Sequence, residues 1–356
     1  MVVSVKNSKK WYLSLISLSL VTVILFGIMT YILDPLVQYK KESGIFTYYE
    51  SSEIYSNPGI AKNYDYDSVL VGSSMVENTN VAEIDNLFGY KTIKVPYSGG
   101  SSFNHKNILE VCFKSNEGIK NVFWSLDEYA LTTDYMTPRY PLPEYLYDFD
   151  KTNDLSYLLN LDVFYFYTTK DIIGTLRGKK QLAMRDGSWI EDESVYCKEN
   201  MLSSFEYPMK QSKNQGEKCY AKNLCDNINY NILPMIRNHK DTNFKFYMVP
   251  YSIAYWYMEK SNGKLDGAFY NVKKAISEIL EYDNVEVYFF QDDEEIITNL
   301  DNYKDYTHFK PEINSYMSKE MKKGNHKLTK NNYLYVLDSF YNYLNNFDYD
   351  TFFTSQ

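Results

Sequence analysis

The sequence predicts an α/β domain, a parallel sheet covered by helices on both faces, carried behind one N-terminal membrane span. Two observations predict it. Residues 11–33 are free of charge. From residue 66 onward, short apolar runs that stop at glycine, proline or serine alternate with longer runs of helical period. Strands that alternate with helices in this way pair in parallel, because each crossover must return to the same sheet edge.

The span comes first. At about 1.5 Å per residue, the roughly 23 residues of 11–33 cover the ~30 Å hydrocarbon core of a bilayer. Lys6, Lys9 and Lys10 precede it and place the N-terminus in the cytoplasm, and Lys40 and Lys41 after it weaken that bias without reversing it. The run is longer than a signal-peptide core, and neither a small-residue cleavage site nor a lipobox cysteine follows, so the anchor is expected to be retained. The chain then reads as a cytoplasmic tail (1–10), a transmembrane helix (11–33), a polar, aromatic-rich juxtamembrane linker (34–64) and a sheet domain (65–325). A C-terminal helix (326–356) closes it.

Within the sheet domain, residues 66–72 form a first strand ending at Gly72, and 90–95 a second that runs into Pro96, Tyr97, Ser98, Gly99 and Gly100. Residues 107–113 fit a helix, 120–126 a third strand, 243–250 a fourth and 284–290 a fifth. Between the last two, 265–282 places Phe269, Val272, Ile276 and Ile279 on one helical face. Residues 311–321 form another helix, with Pro311 in its first turn and Gly324 beyond its end. The alternation breaks over about 132–222, which holds Pro138, Pro141 and Pro143 and a helical pattern at 154–176. This stretch is read as an insertion that caps the strand ends.

Composition excludes some functions. A net charge of -9 gives no basic stripe for a nucleic acid, although Arg177, Lys179 and Lys180 form a local basic patch. The 37 tyrosines suit either sugar stacking or ordinary half-buried packing, and a biased genome composition also explains them. Four cysteines without a CxxC pair are too few for a disulfide scaffold or a structural zinc. In an exported domain Cys197 would pair with Cys219 or Cys225, while Cys112 lies on an apolar helix pattern as a buried thiol.

Ligands bind beyond the carboxyl ends of the strands in such a sheet, so those ends carry the candidate chemistry. After the first strand stands Gly72-Ser73-Ser74-Met75, where a serine opening a helix exposes its hydroxyl or merely caps the turn. After the second stands Ser98-Gly99-Gly100, whose glycines let the backbone approach a ligand and offer an N–H, or simply turn the chain. After the last come Asp305-Tyr306-Thr307-His308. A serine hydroxyl needs a base such as neutral imidazole, and the imidazole needs a carboxylate to fix its tautomer. Of His105, His239, His308 and His326, only His308 follows a strand end with an aspartate three residues earlier. The acidic run from Gln291 to Glu295 lacks the spacing of a calcium loop and reads as a helix start. No phosphate-binding or dinucleotide fingerprint is present, and the set calls for neither a metal nor an organic cofactor.

Together these blocks resemble the SGNH/GDSL hydrolase family over roughly residues 65–325. The resemblance implies a three-layer, flavodoxin-like parallel sheet, with Ser74 as nucleophile, His308 as base and Asp305 as its partner. It implies oxyanion donors from Ser74 and from Gly99 or Gly100. One block departs. Where the family carries an asparagine whose amide donates to the oxyanion, this chain has Asp127, and an ionised aspartate only accepts. Either Asp127 is held protonated, or it binds something else, or the hole consists of backbone N–H groups alone. The layout is similar to membrane-anchored SGNH-like proteins of Gram-positive envelopes and, more distantly, to the D-alanyl transfer proteins of teichoic acid modification. That likeness implies acyl hydrolysis or transfer on an envelope polysaccharide or teichoic-acid-like polymer, beside a membrane-bound O-acyltransferase. Asp127 and the aromatic insertion motivate the rival expectation, an inactive SGNH-shaped scaffold subunit of an acylation complex.

Overall fold

The apolar runs read as strands do pair, because their side chains are covered on both faces and their backbones have no other partner. In the computed structural model, which describes residues 5–49, 52–180, 194–208, 212–216, 218 and 220–354, they form one six-stranded sheet. Its strands are β1 (Ser68–Val71), β2 (Thr92–Lys94), β3 (Asn121–Ser125), β4 (Asn243–Met248), β5 (Val285–Phe289) and β6 (Lys327–Leu328). The order is β2-β1-β3-β4-β5-β6, with every pairing parallel except β5 with β6. Register follows from burial: Val71 stands opposite Trp124, and Trp124 opposite Phe246, all three fully buried.

Two compact units emerge from the chain: Met1–Tyr64 with Leu142–Gly187, and Asp65–Pro141 with Ser188–Gln356. In the first, helix α1 (Val5–Leu33) includes a stretch, Lys9–Leu33, long and apolar enough to cross a membrane. It stops at Asp34, whose positive φ turns the chain. The Asp34 carboxylate accepts the N–H groups of Gln38, Tyr39 and Lys40 and the Tyr157 hydroxyl. The stretch expected as a linker contains helix α2 (Glu53–Asn63). Leu36, Leu146, Tyr157 and Val163 form the core of this unit.

The insertion expected at 132–222 is therefore divided. Residues 142–180 fold with the N-terminal segment, since their apolar side chains find partners at Leu36 and around it, whereas the described residues from 194 onward belong with the sheet. The helical pattern at 154–176 is three pieces: a turn at Leu155–Leu158, a π-helix at Val163–Thr168 and an α-helix at Thr169–Leu176.

In the sheet unit, α3 (Val81–Phe88) starts at Asn80, whose side chain accepts the N–H groups of Ala82 and Glu83. Helix α4 (Ser102–Ser115) starts with a reciprocal cap between Ser101 and Asn104. Helix α5 (Leu265–Ile279) buries Phe269, Val272, Ala275, Ile276 and Ile279. Helix α6 (Pro311–Lys323) has proline at its start and left-handed Gly324 at its end, and packs on α3. The expected C-terminal helix begins only after β6. It runs as α7 (Tyr333–Asn346), then breaks before a short helix at Tyr349–Thr354.

One expectation about thiols is overturned. Cys197 and Cys225 are free, as is Cys112, and Cys219 lies outside the described residues. The Cys197 sulfur instead accepts the Asn200 N–H and caps the helix Lys198–Ser203.

Candidate active site at the strand ends

The turn after β1 is shaped by a close approach. A Cβ on Gly72 would lie 2.8 Å from Ser125 Cβ and 2.7 Å from Val76 Cγ1, so a side chain here would push the ends of β1 and β3 apart. Ser73 then caps a 3-10 turn by accepting the Met75 N–H, and Ser74 is the first residue of that turn, half-buried. Downstream, the Thr79 hydroxyl bonds Asn314 on α6, which ties this turn to the helix that follows His308.

The second segment is a small closed loop. Tyr303 and Phe309 form an antiparallel bridge at its base, and Lys304 N–H donates to His308 O. The Tyr303 hydroxyl donates to Pro250 O, and the Ser252 hydroxyl to Tyr306 O, so the loop is moored to the end of β4. Within it, one Asp305 oxygen accepts the N–H groups of Thr307 and His308 and the Thr307 hydroxyl. The other oxygen meets His308 Nδ1 at 2.8 Å. His308 Nε2 lies 2.9 Å from Ser74 Oγ, across 234 residues of sequence. Burial pushes the Asp305 carboxyl up, but bonds from the His308 ring, its charge and the two loop N–H groups outweigh burial and hold it well below the usual carboxylate range. An ionised Asp305 fixes the proton of His308 on Nδ1 and leaves the Nε2 lone pair aimed at Ser74 Oγ.

At the end of β2, Tyr97 N–H donates to Gly72 O and joins this loop to the serine turn. The two glycines separate here. Gly100 N–H is occupied by Tyr97 O, whereas no hydrogen bond among the described residues uses the N–H of Gly99 or of Ser74. Gly99 has a φ of 61°, a left-handed conformation that favours glycine, and the exposed Arg139 guanidinium rests where a Cβ would sit. Ser98 in the same loop donates its hydroxyl to Glu77.

Asp127, at the end of β3, is buried and takes part in the electrostatics of His308. Its Oδ1 accepts the Tyr251 hydroxyl at 2.8 Å, and Tyr251 stacks on Tyr255, whose hydroxyl reaches Glu128. The Asp127 Oδ2 is buried without a hydrogen-bond partner. Burial raises the Asp127 carboxyl. The Tyr251 hydroxyl, the His308 charge and a Ser73 hydroxyl that lies close but makes no bond of regular geometry offset this only in part.

Ser74, His308 and Asp305 are thus brought into one hydrogen-bonded row, with Asp127 beside it. Other groups carry no such geometry. His105 is fully buried behind this edge, accepts the Trp124 indole N–H at 3.1 Å and is pushed down to about 3 by burial, which makes it a neutral core residue. The acidic run after β5 starts a helix, with Asp293 capping Ile296 N–H. Sequence reasoning missed Tyr251 and Arg139. The Tyr251–Asp127 contact spans 124 residues, and Arg139 lies in a proline-rich loop with no chemical pattern around it. No protein-family model, no curated protein and no solved structure matches the chain, so its likeness to any family rests on these short blocks alone.

Proposed function

We propose that the chain is an SGNH-type serine esterase or O-acyltransferase, anchored by α1 with its sheet unit outside the membrane and acting on an acylated envelope glycopolymer. The observation that carries this reading is the Ser74–His308–Asp305 row, with contacts of 2.9 and 2.8 Å. Ser74 Oγ attacks the acyl carbonyl carbon while His308 Nε2 takes the hydroxyl proton. The tetrahedral oxygen accepts the N–H groups of Ser74 and Gly99. Collapse of the intermediate breaks the ester bond, and His308 returns the proton to the departing sugar hydroxyl. Water or a second sugar hydroxyl then takes the acyl group from Ser74.

Asp127 enters as a neutral acid. A protonated Oδ2 supplies the donor that an asparagine amide supplies in the family pattern, and the bare, buried Oδ2 favours this over an ionised group. The scaffold alternative loses its main motive if that donor exists.

A fluorophosphonate probe tests the reading on the purified full-length chain in detergent. The wild type should acquire the probe on Ser74 by peptide mapping, and Ser74→Ala should not. Equal, background labelling of the two proteins would show that the hydroxyl is not activated and would favour the scaffold alternative.

A further inference from the structure

The N-terminal unit carries a helix with a row of large apolar side chains turned outward. Leu161, Tyr165 and Leu176 are 72%, 67% and 82% exposed, and Phe166, Ile172 and Ile173 are exposed on the same side. The spacing of Leu161, Tyr165, Ile172 and Leu176 by four, seven and four residues makes them one stripe. The covered side holds Val163 together with Thr168, Asp171 and Gly174, while Asp162 and Lys170 are exposed at the margin of the stripe. A stripe of this kind in water exposes far more apolar surface than scattered single residues do.

Its depth is set by α1. Phe164 packs edge-on against Phe26 at 5.3 Å, and Leu155, Leu158 and Leu159 face Val23, Ile24, Gly27, Ile28 and Tyr31 across an apolar groove of about 420 Å³. Those α1 residues lie in the last part of the apolar stretch Lys9–Leu33, of which only 11% is covered by protein. From residue 23 to residue 33 is roughly 15 Å of helix, half the thickness of a hydrocarbon core. Whatever medium surrounds α1 at that depth also surrounds 155–176. The backbone permits this: the 155–158 and 163–176 segments are helical, and Asn160 between them accepts the N–H groups of Asp162 and Val163. Arg177, Lys179 and Lys180, all exposed, follow the stripe, as cations do where a membrane-lying helix meets anionic headgroups.

We infer that residues 155–176 lie in the bilayer leaflet at the C-terminal end of α1, as a second, non-spanning membrane element whose groove against α1 is filled by lipid acyl chains. The inference rests on the reading of α1 as a span, and on nothing about the chemistry at Ser74.

The test uses the full chain in vesicles of phosphatidylglycerol and phosphatidylethanolamine. In a background with Cys197, Cys219 and Cys225 replaced by serine, nitroxides are placed at Leu161→Cys, Tyr165→Cys and Leu176→Cys, with Glu117→Cys on the sheet unit as the aqueous reference. The three labels should relax with dissolved oxygen and be shielded from a water-soluble nickel chelate, opposite to the reference. Chelate accessibility equal to the reference overturns the inference. So does shielding from both reagents, which means that a protein or a second copy covers the stripe. The unmodified chain supplies an independent measurement, because a diazirine-bearing phosphatidylglycerol should mark peptides from both α1 and 155–176. Marking of α1 alone defeats this inference and leaves the span intact, and marking of neither defeats the span itself.

Discussion

Asp305 and Asp127 follow strands β5 and β3 of the same sheet, both interact with the His308 charge, and their carboxyls are shifted in opposite directions. Asp305 is partly exposed and receives two backbone N–H groups, a hydroxyl and the imidazole. Asp127 is almost fully buried, receives one strong bond, from Tyr251, and has an oxygen with no partner. The residue type is the same in both loops. The number of donors that meet each carboxyl, set against the water it loses, decides the direction in which it is shifted. Under the proposed function the contrast gives the two carboxyls separate roles, since an imidazole needs an anion behind it and an oxyanion needs a proton in front of it.

The largest way to break this contrast is Asp305→Asn. An amide cannot stabilise the imidazolium or enforce the right tautomer, and the fluorophosphonate labelling rate of Ser74 should fall on the order of 10³–10⁴-fold. A rate close to wild type would mean that Asp305 does not serve His308. Next comes Asp127. Asp127→Ala removes a donor and should cost ~10²–10³-fold, while Asp127→Asn restores one and should stay within about tenfold of wild type. The wild-type rate should also decline as pH rises through the raised value of the Asp127 carboxyl, and the asparagine variant should lack that decline. If alanine is as fast as wild type, Asp127 takes no part.

A smaller effect is expected from Tyr251→Phe, which strips the bond on Asp127 Oδ1. Loss of a buried hydrogen bond costs about 1–3 kcal/mol, readable as a lower midpoint in urea. Because that bond favours the anion, its removal should move the decline of labelling to higher pH. An unchanged profile would uncouple Tyr251 from Asp127. The smallest effect concerns Glu128, pushed up to about 7 by burial first and by the Glu259 charge second. A carboxyl raised in the folded state holds its proton more tightly there. Its contribution is complete below the ordinary value of 4.5 and is lost as pH rises through about 7. The melting temperature of wild type relative to Glu128→Gln should therefore fall between those two values, and a constant difference would remove Glu128 from the account.

Much of the sheet unit was legible because its signals are local. Strands buried on both faces must be continuous apolar runs, and the observed β1 to β5 fall inside the expected stretches. Ser74, Gly99 and the Asp305–His308 pair were legible because a turn of the chain presents each of them within a few residues. What escaped depends on distance or on an unmarked environment. Helix α2 is obscured by Pro58 and Gly59 inside it, and β6 is only two residues long, held by its pairing with β5. The upward shift of Asp127 comes from a buried setting that no spacing announces, and its bond from Tyr251 spans 124 residues. Periodicity at 154–176 spoke for a helix, yet it cannot say whether an apolar stripe faces protein or lipid. The contact of Phe164 with Phe26 places this segment against α1.

The Tyr303–Phe309 bridge has one more consequence. Because it pinches the chain on both sides of Asp305 and His308, those two side chains travel as one rigid piece. Any displacement of the loop carries the carboxylate along with the ring and leaves the imidazole oriented. What such a displacement stretches is the 2.9 Å gap to Ser74. A ligand or partner that silences this row would act by parting base from nucleophile, leaving a base still fully formed and ready to re-engage.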